Sequence, residues 1–278
     1  MKLEITPSGQ ACGASVRGVD LSEPLSKQAA AAIRAAWLEH QVLAFPDQTL
    51  TDEQLEDFTL NFGPFGEDPF IAPIPGHPHI IAVRRKADET SPIFAESWHS
   101  DWSFQATPPQ GTCLYGITIP PTGGDTLFAN QYLALEKMPA ELRQRIEGRR
   151  AIHSAKNAYA PTGMYGKGDA GRSMDIRPSE QAEATQLHPI IRTHPETGRE
   201  SLFGCAGYII GIEGMDQQEG WDLVTEIYRW QTRPEFQYRH RWHPDMLLMW
   251  DNRCTLHMAT GGYAGHDRLL HRTTIGAA

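Results

Sequence analysis

At 278 residues and 40% hydrophobic content the chain carries enough apolar material for one substantial core. Its formal net charge of −9 argues against nucleic acid or an anionic membrane surface as the main partner, and no run approaches the ~18 apolar residues of a membrane span. Met1-Lys2-Leu3-Glu4 opens no apolar signal core, so the cytoplasm is the expected compartment, and Cys12, Cys113, Cys205 and Cys254, with no Cys-x-x-Cys among them, read as buried thiols.

In chain order, Leu3–Ile5 and the stretch to Val16 suggest an opening strand and turn, and Ser26 can cap a helix through Glu39 with Ile33, Trp37 and Leu38 as its apolar stripe. Gln41–Phe45 reads as a buried strand; Thr51-x-x-Gln54 fits a capping box opening a second helix with Leu55, Phe58 and Phe62 on one face, ended by Gly63. The prolines between Pro64 and Pro78 forbid regular structure, which predicts a long loop able to cover a site. His79–Arg84 is strand-like, Lys86–Glu96 is polar and expected to be mobile, and Thr112–Ile119 and Thr126–Asn130 are the next strands. A short helix follows at Pro139–Glu147, then a Gly/Pro-rich excursion from Asn157 to Gln186, strands at Pro189–Thr193 and Glu200–Phe203, and a helix at Trp221–Trp230. The last quarter alternates short strands with turns: Tyr238–Trp242, Met246–Trp250, Thr255–His257 and Leu269–Ile275. Many short strands with a few helices near the start predict one domain over 1–278, mainly β with flanking helices, built as a double-stranded β-helix or jelly roll.

Trp98-His99-Ser100-Asp101 is the stretch with the most chemistry. On an extended strand His99 and Asp101 point to the same face and can offer an imidazole nitrogen and a carboxylate oxygen to one ion. With 12 histidines, roughly 0.7 His-x-Asp matches are expected by chance. Taken alone, then, the pair suits a surface contact as well as a metal. His243-Pro244-Asp245 is a second copy, read as a turn because of its proline. A distant histidine, for which His257 is the candidate, would complete the two-His-one-carboxylate set that occupies one face of an octahedral iron(II). If the final strands run antiparallel as neighbours, Arg268 and Arg272 share the cavity with His257, and an arginine fork beside a metal suits a dicarboxylate chelated at one end and clamped at the other. 2-Oxoglutarate is such a molecule.

Four ordered blocks, Trp98-His99-Ser100-Asp101, Thr122-Gly123-Gly124-Asp125-Thr126, Trp250-Asp251-Asn252-Arg253 with His257, and Arg268-Leu269-Leu270-His271-Arg272, resemble the taurine dioxygenase family of iron(II)/2-oxoglutarate-dependent oxygenases. The likeness extends to Asp20-Leu21, Phe62-Gly63 and Arg233-Pro234-Glu235-Phe236. It implies His99, Asp101 and His257 as iron ligands, Thr126 and Arg268 on the distal carboxylate of 2-oxoglutarate, Arg272 near the substrate's acid group or the cosubstrate, and O₂ as oxidant. On their own residues these positions have plainer readings: Thr126 as a β-branched strand residue, the two arginines as solvated strand side chains, and His271 as structural on the opposite face.

Where taurine dioxygenase itself contacts taurine or the cosubstrate, this chain offers Asp68 and Ile71 after the Phe-Gly and Ala95 or Glu96 before Trp98, which suits taurine poorly. Val83–Glu89 and Ala151–Ala155 are more similar to the phenoxyalkanoate-hydroxylating members. The expected reaction is hydroxylation of a small organic acid, a carboxylate or sulfonate with an apolar, aliphatic or aromatic, body, with release of succinate and CO₂. Expected partners are that substrate and further copies of the chain. Two rivals stand beside it: a zinc hydrolase using the same ligands, and a jelly-roll binding protein that senses a small acid without catalysis.

Overall fold

The computed structural model describes residues 3–167 and 171–277. The amino-terminal part supplies β1 (Glu4–Pro7), β2 (Ala14–Arg17), α1 (Lys27–His40), β3 (Val42–Phe45) and α2 (Asp52–Leu60). Next come β4 (Ile81–Arg85), β5 (Gly111–Thr118), β6 (Thr126–Asn130), α3 (Gln131–Glu136), α4 (Ala140–Ile146), β7 (Arg150–Ser154) and α5 (Lys156–Tyr159). They are followed by β8 (Thr185–Pro189), β9 (Ile191–Thr193), β10 (Glu200–Leu202), β11 (Ile209–Ile212), α6 (Gln217–Gln231), β12 (Gln237–His240), β13 (Met246–Asp251), β14 (Thr255–Ala259) and β15 (Arg268–Ile275).

Seven strands form one sheet in the order β1-β2-β3-β13-β5-β15-β4, and β12-β6-β14 form a second, three-stranded one. Alternation along β13 decides the layers. Leu247 and Met249 join Ile33 and Trp37 of α1 and Leu55 and Phe58 of α2 in one core, while Leu248 and Trp250 meet Phe128 and Tyr238 of the small sheet and Trp242 just beyond β12. The central strand is thus buried on both faces, which is why it reads as an unbroken apolar run. Each large side chain buried there contributes about 1.5–3 kcal/mol. No described helix is long and apolar enough to cross a membrane.

The caps are those expected. Ser26 accepts from the Ala29 N–H, and Thr51 and Gln54 form a reciprocal capping box, although α2 stops at Leu60, before Gly63. The 64–78 stretch is irregular, as its prolines require. Lys86–Glu96 is irregular too, but it is tied down: the buried Glu89 carboxylate accepts from the Ser91 hydroxyl and from the Ser173 N–H and hydroxyl, and lies 3.5 Å from Arg85. The end of the excursion after Asn157 runs into β8, whose mostly exposed residues carry no apolar period; it pairs with β7 in antiparallel register, with the one buried ring, His188, against His153. Positions 168–170 of that excursion lie outside the described residues. All four cysteines are buried and free of disulfides, and burial pushes the Cys12 and Cys113 thiols up to about 12.

Burial also holds the imidazoles of His153 and His240 down at about 3, against 6.5 in a solvated chain. Below pH 6.5 the unfolded chain binds protons that the folded one refuses, so the stability these two groups confer is complete above 6.5 and is lost as pH falls toward 3. Thermal unfolding of the metal-free protein is therefore expected at steadily lower temperature from pH 7 to pH 5; an unchanged Tm would contradict neutral burial of this pair.

Candidate active site

His99 does not stand on a regular strand. It forms an isolated antiparallel bridge with His257 on β14, the His99 N–H donating to the His257 carbonyl at 3.0 Å and the His257 N–H to the His99 carbonyl at 2.8 Å. Asp101 already belongs to the turn that follows. The same-face rule for a strand is thus not what joins the pair. The bridge sets the two imidazoles side by side, ring centroids 4.1 Å apart, and the turn swings the carboxylate beneath them. Asp101 Oδ1 lies 3.8 Å from His99 Nε2 and 3.7 Å from His257 Nε2, too far for hydrogen bonds and close enough for one cation to be shared.

Each ligand candidate is prepared for a metal. His99 Nδ1 lies 2.8 Å from the Ser97 carbonyl, which fixes the proton on that nitrogen and leaves Nε2 as an electron-pair donor. Burial keeps both histidines neutral, and His257 is held down at about 3. Among the described residues His257 Nδ1 has no hydrogen-bond partner. Burial alone would raise the Asp101 pKa, but His257, Arg272, His99 and a hydrogen bond from Thr112 together hold it below the ordinary carboxylate value.

Behind Asp101 runs a chain of hydrogen bonds that the sequence did not announce. Trp250 Nε1 donates to Asn252 Oδ1, Asn252 Nδ2 to Thr112 Oγ1, and the Thr112 hydroxyl to Asp101 Oδ2 at 2.6 Å. This is the use of Trp250 and Asn252 in their block, while Asp251 is taken by Arg253 and by His194. His194, Asp251 and Cys254 also lie within reach of a common ion, but His194 Nδ1 accepts two backbone N–H groups and both Asp251 oxygens are engaged, so that group is satisfied without one. Thr112→Val removes the orienting bond at nearly constant volume. Its expected effect is a 10–100-fold loss of iron(II) affinity with the fold retained, measurable by metal titration; affinity within a factor of two of wild type would show that Thr112 does not orient the carboxylate.

The two arginines stand on β15, in the large sheet, whereas His257 is on β14 in the small one. They are not neighbouring strands, as the sequence suggested, but members of sheets that face each other. Even spacing along β15 aims Arg268 and Arg272 inward and turns His271 to the outer face, where it meets Asp52 at 2.6 Å. Arg268 is buried, bonds the Gly124 carbonyl at 3.1 Å, and has no acidic partner within 4 Å among the described residues. Its Nε is unpaired, and burial lowers its pKa, with Tyr263 and Asp125 partly opposing. Thr126, also buried, accepts from Trp242 Nε1 at 2.9 Å and so keeps its hydroxyl proton to donate elsewhere. It pairs across the sheet with Ala259, two residues along β14 from His257, a separation of about 7 Å that suits the span of a five-carbon diacid.

Arg272 is different. Its Nη2 meets Asp68 of the proline-rich loop at 2.5 Å, its Nη1 is 3.5 Å from Asp101, and it lies over the Trp102 ring at 5.1 Å. Asp68 also accepts from Trp102 Nε1 at 2.7 Å. Two inward cations therefore do not demand two bound anions, because the protein supplies one. Beside His99 a cavity of about 240 Å³ is lined by Phe94, Tyr159, Met164, Tyr165 and Tyr208. Larger clefts elsewhere, up to about 530 Å³, contain none of His99, Asp101 and His257.

Comparison with known proteins decides the family. Residues 4–274 match the family described as Taurine catabolism dioxygenase TauD, TfdA family. The chain belongs to this family. It is 32% identical to the alpha-ketoglutarate-dependent 2,4-dichlorophenoxyacetate dioxygenase of Cupriavidus pinatubonensis over 99% of this chain and 98% of that one. To the alpha-ketoglutarate-dependent sulfate ester dioxygenase of Pseudomonas putida it is 29% identical, over 99% and 90%. Among solved structures, AAD-2 in complex with Mn(II) and N-oxalylglycine superposes with a TM-score of 0.79 at 29% identity, covering 100% of this chain and 98% of that one. The protein is an iron(II)- and 2-oxoglutarate-dependent dioxygenase, with O₂ as oxidant.

Proposed function

We propose that the chain is one dioxygenase domain of jelly-roll type that hydroxylates a small organic acid with an apolar body, releasing succinate and CO₂. In this reading His99, Asp101 and His257 hold the iron, and Arg268 with Thr126 holds the distal carboxylate of 2-oxoglutarate. The observation that carries it is a pairing: a buried cluster of neutral imidazoles and a carboxylate, and, further along the same pair of sheets, a buried arginine that has no acid within 4 Å among the described residues. A buried unpaired cation is costly unless a ligand completes it. The relatives named for 2,4-dichlorophenoxyacetate and sulfate esters support an acid as substrate.

Iron(II) with 2-oxoglutarate and O₂ supplies the oxidising power when bound. The rest of the work belongs to the chain. Thr112 and Ser97 orient Asp101 and His99, Arg268 turns the diacid so that its keto-acid end reaches the His-Asp-His face, and Phe94, Tyr159, Tyr165 and Tyr208 exclude water from the space beside His99. A water-activating zinc hydrolase would have no use for Arg268. The deciding experiment measures succinate release from 2-oxoglutarate with iron(II) or zinc, across phenoxy acids, alkyl sulfates, sulfonates and uncharged aromatics. Iron-dependent succinate release coupled to loss of an acid supports the proposal; substrate loss with zinc and no 2-oxoglutarate would replace it.

A further inference from the structure

Arg268 and Arg272 share a strand face but not a charge state. Among the described residues Arg268 has no carboxylate within 4 Å, whereas Arg272 is closed in by Asp68, Asp101 and the Trp102 ring. The Asp68 side chain is 10% exposed and that of Arg272 5%, so the pair is part of the interior. Among the described residues none that lines the cavity beside His99 is an arginine or lysine, and Arg272 is not part of its wall. Once iron(II) and the 2-oxoglutarate dianion are added, the two arginines and the metal balance Asp68, Asp101 and the diacid. The buried charge is then zero. A further carboxylate on Arg272 would leave either itself or Asp68 without a counter-charge in a low-dielectric site.

We propose that Asp68 is a specificity-determining residue that occupies the seat at Arg272 which a substrate's acid group would otherwise take. The inference rests on the dioxygenase reading and narrows its substrate. The group next to the oxidised carbon is uncharged, and the acid stands at the molecule's far end. The cavity wall agrees with this orientation, since Asn157 and Met164 also line an outer cleft in which Lys156 and Lys167 outnumber its single acid, Glu183.

The test uses the protein loaded with iron(II) and 2-oxoglutarate without oxygen, titrated calorimetrically with three probes. Phenoxyacetate places its acid beside the reacting carbon, phenoxyacetamide is its neutral counterpart, and 4-methoxybenzoate carries its acid across the ring from the oxidisable methyl. Wild type is expected to bind the amide at least tenfold more tightly than phenoxyacetate. In Asp68→Asn, which keeps an acceptor for Trp102, phenoxyacetate is expected to gain at least tenfold on the amide. A wild type that favours phenoxyacetate overturns the proposal, as does a ratio unmoved by Asp68→Asn or a variant that takes neither compound. Should Asp68→Asn unfold, Asp68→Ser and the wild-type ratio still decide. Rejection of 4-methoxybenzoate with the amide retained would remove the acid from the proposed substrate while leaving the role of Asp68 standing. Loss of 2-oxoglutarate binding in the same wild-type samples would instead count against the dioxygenase site.

Discussion

Asp101→Ala is expected to abolish turnover and to weaken iron(II) binding by well over 100-fold, because even the outer partners of metal ligands are worth 10–100-fold. Asp101 is the one anion in the His99, Asp101, His257 group, and it alone can offset part of the metal's charge in this buried place. The fold should survive. Arg272 keeps Asp68 as its counter-charge, and the Thr112 hydroxyl keeps the Asn252 amide. Metal content measured with O₂ consumption, beside a melting curve, tests all three statements. A variant that still binds one iron per chain and consumes 2-oxoglutarate would remove Asp101 from the metal site.

Arg268→Met should raise the 2-oxoglutarate requirement at least tenfold, since losing one partner of a buried charge pair costs about 2–5 kcal/mol. The same substitution should act the opposite way on the ligand-free protein. There, among the described residues, Arg268 is a buried cation with an unpaired Nε, no acid within 4 Å and the Gly124 carbonyl as its one hydrogen-bond partner, so an apolar chain of similar length should leave Tm unchanged or raise it. This opposition separates a ligand clamp from a structural arginine. A lowered Tm together with an unchanged 2-oxoglutarate requirement would show that Arg268 serves the fold instead. Calorimetry of 2-oxoglutarate binding and a melting curve suffice.

The helices at the start were legible because their signals are local. Ser26 and the Thr51/Gln54 box mark helix starts within a few residues, and a short unbroken apolar run marks β13, where both faces are covered. β8 escaped because an edge strand of mostly exposed residues carries no apolar pattern, and β7, the middle strand of that small sheet, because five mixed residues are too few to show a period. His99, Asp101 and His257 could be nominated as residue types able to share an ion, and the ordered blocks around them pointed to the family. Their meeting could not be derived from strand spacing, for it depends on a bridge between positions far apart in the chain and a turn after His99.

By itself, then, the sequence determined the helix starts, the β-rich end, the inward face shared by Arg268 and Arg272, and which donors could hold a metal and a diacid, because propensity, alternation and donor chemistry belong to residues and their near neighbours. Only the tertiary structure decided which arginine is free. Asp68 comes from an irregular loop, 204 positions from Arg272 in the chain, and no local period records that contact. The same holds for the Trp250–Asn252–Thr112 chain behind Asp101 and for Trp242 behind Thr126. Asn252 meets Thr112 at the end of two neighbouring strands of the large sheet, Thr112 meets Asp101 in the turn after His99, and Trp242 meets Thr126 beside the paired strands β12 and β6, so each contact depends on strand pairing across a long stretch of chain, and in a buried site those bonds set which charges are already answered and which await a ligand.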